Sequence, residues 1–110
     1  MNSVVVKVAP NGEGKTAWLV EIAKTELENS RNVVFFSSID ATKYVKFAEQ
    51  YHVKYNVPCP VTFANRIDLI EDGSVVLIDN LFKQDLNTKM LSSLFSRGCC
   101  IYLTVCGLAA

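Results

Sequence analysis

Gly14-Lys15-Thr16 brings together what is needed to hold a phosphate: a backbone free to curl, a primary ammonium and a hydroxyl. These residues follow a turn-forming stretch, Pro10-Asn11-Gly12-Glu13, which itself follows the valine-rich run Val4-Val5-Val6-Lys7-Val8. The glycines let successive backbone N–H groups point at one anion. A helix opening at Gly14-Lys15-Thr16 adds its own unpaired N–H groups and the positive end of its dipole. A second chemical candidate, Asp79, closes the apolar run Val75-Val76-Leu77-Ile78. A carboxylate at the C-terminal edge of a strand, beside such a loop, can hold Mg²⁺ through the ion's waters. An Asp that merely ends a strand is common, so Asp79 gains its meaning from the glycine-rich stretch.

The segment Ala9-Pro10-Asn11-Gly12-Glu13-Gly14-Lys15-Thr16 resembles the Walker A motif of P-loop NTPases, with Ala9 where the stricter form has its first glycine. The resemblance implies that ATP and Mg²⁺ are the ligands. Pro10, Asn11, Gly12, Glu13 and Gly14 would wrap the phosphates, Lys15 would reach the β- and γ-phosphates, and the Thr16 hydroxyl would ligate Mg²⁺. Val75 to Asp79 is similar to Walker B and implies that Asp79 assists the metal. A GTPase is disfavoured: Asp79-Asn80-Leu81-Phe82 lacks the glycine of Asp-x-x-Gly, and Asn65-Arg66-Ile67-Asp68 precedes the Walker B-like strand instead of following it.

Three further positions bear on turnover. Asn80 stands where many ATPases of this group carry a Glu that activates water; it cannot accept a proton at neutral pH, though it can orient a water. Phe35-Phe36-Ser37-Ser38-Ile39-Asp40 resembles the second strand of RecA-like and replicative-helicase-like ATPases, which makes Asp40 a candidate base. Asp40 reads equally well as a helix N-cap. Thr104 matches the position of a polar residue that senses the γ-phosphate in those enzymes, and it is also an ordinary strand residue. Arg97 reads as a finger toward a neighbour's nucleotide or, preferably, as a dipole partner ending a helix.

The elements that must position these residues alternate. Apolar residues Ala17, Leu19, Val20, Ile22, Ala23 and Leu27 predict a helix over 14–29, with Glu21, Lys24, Glu26 and Glu28 on its wet face. Val33 to Ser38 reads as a strand buried on both faces. Tyr44, Phe47, Ala48 and Tyr51 predict a helix begun by Asp40 or Thr42 and running to about His52, whose charge would complement the dipole. Pro58-Cys59-Pro60 falls in a loop, 61–64 in a short strand piece, and Asp72-Gly73-Ser74 in a turn. A final helix over 84–97 carries Leu86, Met90, Leu91, Leu94 and Phe95 on one face and stops at Gly98.

Strand and helix in alternation call for a parallel sheet with right-handed crossovers. The expected class is α/β, and the resemblance to RecA-like, additional-strand P-loop NTPases implies a three-layer α-β-α P-loop NTPase fold with a small parallel sheet. Its strands would lie at 4–9, 33–38, 75–79 and 100–105 in the order 1-4-3-2, lacking the fifth core strand of fuller relatives. The run Val4 to Val8 then becomes an apolar edge, a pairing liability that a protein partner, a second copy or residues 107–110 would cover.

At 110 residues, half of them apolar and a fifth charged, the chain is one globular domain. Its net charge is zero, so nucleic acid is not indicated. No apolar run approaches a membrane span or signal sequence, and the four cysteines form neither a metal spacing nor a disulfide framework. Structural thiols in a cytoplasmic setting are expected. Two functions fit: an ATP-binding protein with slow or partner-dependent ATPase activity, or a non-catalytic P-loop-fold protein that docks on or inhibits a larger ATPase.

Overall fold

A computed structural model describes residues 3–9, 14–38, 41–81 and 88–106. Strands and helices alternate along it as β1 (Ser3–Ala9), α1 (Lys15–Glu28), β2 (Val33–Phe36), α2 (Thr42–Tyr55), β3 (Thr62–Ala64), β4 (Val75–Leu81), α3 (Thr88–Ser96) and β5 (Cys100–Cys106). A single 3-10 turn occupies Ile67–Leu69. Every ladder among the described residues is parallel, and the sheet runs β1-β5-β4-β2-β3. This is the α/β class that the alternation predicts.

The four-strand order 1-4-3-2 is replaced by this five-strand one, and the segment that makes the difference is β3. Thr62 lies opposite Val34 and Ala64 opposite Phe36, so β3 is a ladder member on the edge beyond β2. Three residues are too few to show a strand's alternation in sequence. Its place is set by β2 and by Tyr44, whose hydroxyl donates to the Val61 carbonyl at 2.6 Å.

Alternation along β2 builds the three layers. Val33 and Phe35 join the core beneath α1 and α2, with Leu19, Val20, Ala23, Phe47 and Tyr51. Val34 and Phe36 join the opposite core with Leu94 of α3 and with Ile70, Val76, Ile101 and Leu103. All four β2 residues are buried, as a strand covered on both faces requires.

Helix boundaries moved for local reasons. Helix α2 continues past His52 to Tyr55, whose ring packs 4.9 Å from Tyr51 and lies under the ammoniums of Lys24 and Lys54 at 5.1 and 5.7 Å. Asn56, left-handed at φ 56°, closes it by donating its N–H to the His52 carbonyl at 2.8 Å. Its N-cap position is Ala41, which makes no side-chain cap; Asp40 lies outside the described residues. The described part of α3 starts at Thr88, and residues 84–87 of the expected helix lie outside. Gly98, at φ +80°, follows its end.

Glu26 departs from the wet face expected for it. It is 8 % exposed, accepts a 3.4 Å hydrogen bond from the Tyr102 hydroxyl, and lies 3.6 Å from the Arg31 guanidinium. Helical spacing places Glu26 correctly on α1 but says nothing of Tyr102, which arrives from β5.

Candidate functional site

The site begins where α1 begins. Gly14 sits before the helix with φ 76° and ψ 20°, a left-handed conformation that favours glycine. A Cβ there would meet nothing within 4 Å, so the backbone and not crowding accounts for the residue type. Its carbonyl accepts the Trp18 N–H at 3.0 Å, closing the first turn. Lys15 and Thr16 therefore occupy that turn, with Lys15 only 5 % exposed.

Asp79 comes from β4, the middle strand of the sheet, and is 6 % exposed. Val75 and Leu77 on that strand face α1 and α2, and Asp79 continues their alternation toward α1. The ladder to β5 is irregular here. Ile78 lies opposite Leu103 and Leu81 opposite Val105, which leaves Asp79 and Asn80 against Thr104 alone. A bulge of this kind re-aims side chains locally and is common beside functional sites. The motif in the sequence gave no sign of it.

The Thr16 hydroxyl donates to Asp79 Oδ2 at 2.7 Å, and the Thr104 hydroxyl donates to Oδ1 at 2.7 Å. Each carboxylate oxygen thus holds one short, charge-assisted bond. Thr104 is wholly buried on β5, between β4 and Lys7 of β1, which is its register partner. The structure accordingly brings together Gly14, Lys15 and Thr16 from one segment, Asp79 from a second and Thr104 from a third. Pro10, Asn11, Gly12, Glu13 and Asp40 lie outside the described residues, and Asn80 is described only as a β4 residue.

These oxygens suit Mg²⁺, a hard cation that takes oxygen ligands and usually binds through one or two carboxylates, waters and substrate phosphates. A hydroxyl carries one proton and two lone pairs. Thr16 can therefore turn a lone pair to a cation while its O–H still donates to Asp79. Among the described residues no group of three or more His, Cys, Asp or Glu gathers into a metal site. A cation beside Asp79 would thus take much of its shell from elsewhere, as Mg²⁺ does from a nucleotide.

Arg97 directly follows α3, where the preferred reading put it, and its guanidinium is held within the chain. Its Nε donates to Asp72 Oδ1 at 2.7 Å, Nη1 to the Ile67 carbonyl at 3.0 Å, and Nη2 to the Ile70 carbonyl. The guanidinium fork clamps the segment between β3 and β4. Its partners are mostly backbone carbonyls, which no residue pattern announces.

The remaining ionisable groups read as structural. Cys99 and Cys100 are buried thiols, Cys100 accepting from the Arg31 guanidinium at 3.7 Å, and Cys59 is partly buried. Burial pushes the Cys59 thiol up, against a smaller opposing pull from the Val61 backbone, which leaves little nucleophilic thiolate. Burial also raises the Tyr102 phenol, and the neighbouring Glu26 carboxylate adds to that. His52 lies exposed in the last turn of α2, where a positive charge complements the dipole. No helix among the described residues is long and apolar enough to cross a membrane. No protein-family model matches the chain, and no curated protein matches it.

Proposed function

We propose that this chain binds ATP with Mg²⁺ in a P-loop NTPase-like site formed by residues 9–16, Asp79 and Thr104. The observation that carries the proposal is the 2.7 Å bond from Thr16 at the start of α1 to Asp79 in the C-terminal half of the middle strand, β4. Residues 63 apart in sequence are joined there, and they are the two that a Walker A and Walker B pair would assign to the metal. Lys15 supplies charge for the phosphates, and the first-turn N–H groups of α1 supply donors. When bound, the metal would neutralise developing phosphate charge.

Hydrolysis by the isolated chain is expected to be slow. Asn80 offers a hydrogen bond to a water but no base, which leaves Asp40 to take the proton. Arg97 is committed to Ile67, Ile70 and Asp72 and is poorly placed to act as a finger. A partner would have to supply such a charge.

The test is equilibrium binding of Mg²⁺-ATP to the whole chain, with Lys15→Ala as control and circular dichroism to verify that it folds. Binding lost in Lys15→Ala supports the proposal. Absence of binding to the parent chain overturns it.

A second reading, a protein that docks on a larger ATPase without turnover, is favoured by β1. Val4, Val6 and Val8 are 41 %, 50 % and 62 % exposed on a strand that pairs only with β5 among the described residues. Here Lys15→Ala would leave partner binding untouched.

A further inference from the structure

Resting on the nucleotide reading above, we propose that Thr104 is a positioning residue that acts through Asp79, setting the strength of the metal's hold and not touching a phosphate itself. Thr104 is 0 % exposed, so its hydroxyl has no open path to a ligand, while it donates to Asp79 Oδ1 at 2.7 Å. The bulge leaves this one β5 residue facing both Asp79 and Asn80, and β1 and β4 flank its strand on either side. A donor on a strand paired on both sides is rigid, and a rigid donor fixes the plane of the carboxylate it bonds. With Oδ1 tied to Thr104, Oδ2 is the oxygen turned toward Thr16 and the start of α1. That is the side from which a cation held by the Thr16 hydroxyl would be met. Partners of this kind, one bond removed from the metal, orient the groups nearer to it and tune their basicity.

The alternative is that Thr104 is there for its branched shape alone. Two substitutions separate shape from hydroxyl: Thr104→Val keeps the volume and strand preference and removes the donor, whereas Thr104→Ser keeps the donor and removes a methyl. ATP affinity is measured for the whole chain and both variants, once with excess Mg²⁺ and once with EDTA. Thr104→Val is expected to weaken Mg²⁺-ATP about 10-fold or more while changing metal-free ATP by less than about 2-fold, and Thr104→Ser to stay near the parent. A Thr104→Val chain with the parent's Mg²⁺ dependence overturns the inference, as does equal weakening with and without metal. So does a Thr104→Ser chain as weak as Thr104→Val, which would assign the effect to packing. If the parent itself fails to bind Mg²⁺-ATP, the nucleotide reading falls first and this one with it.

Discussion

Two neighbouring regions of this molecule invert the usual rule of burial, and in opposite directions. Toward the C-terminal ends of β4 and β5 a carboxylate and a hydroxyl are buried, Asp79 and Thr104. On β1, two strands away, valines that would suit a core stand in the open. The polar inversion is compensated: both Asp79 oxygens accept a hydroxyl at 2.7 Å. The apolar one has no such compensation among the described residues. Burying a carboxylate costs free energy unless it is bonded, whereas exposing a valine only forgoes a gain. The first arrangement therefore calls for a site that uses the charge. The second calls only for a surface.

Substitutions can break or sharpen this contrast. Asp79→Ala removes the acceptor of two charge-assisted bonds and also relieves a buried charge, so we expect a net loss of about 2 kcal/mol in urea unfolding. A gain in stability would instead mean that the carboxylate is kept at a cost to the fold. Val76→Thr, in a core position with no exposure, buries a hydroxyl and should cost about 1–2 kcal/mol. The same change at Val6, half exposed on β1, should stay within about 0.5 kcal/mol. Equal losses at both valines would show that something covers β1 in solution.

Much of this architecture is legible in the residues, for identifiable reasons. Four consecutive apolar residues in β2 require cover on both faces, and two separate cores meet there. Gly14 and Gly98 punctuate helices because their backbones take positive φ. The elements that escaped are those whose reason lies far away in sequence. β3 reads as a short strand piece at 61–64, but its place on the edge beyond β2 does not; Glu26 is buried by Tyr102, and Arg97 is fixed by carbonyls of the segment that precedes β4. The bulge at Asp79 and Asn80 belongs to the same group, since a register shift is a property of two strands. For the candidate site, the sequence names Thr16, Asp79 and Thr104 separately; that a single carboxylate receives both hydroxyls is a matter of tertiary geometry.

The most direct test of the account is to locate the metal. With Mn²⁺ replacing Mg²⁺ in the presence of ATP, paramagnetic broadening in amide NMR spectra reports which residues surround the ion. Loss of the Lys15, Thr16 and Thr104 signals is expected. Those of Gly73 and Gly98, just before β4 and β5 begin and roughly 20 Å away at strand rise, should be broadened far less. Broadening centred elsewhere, or none that depends on ATP, would contradict the proposed site.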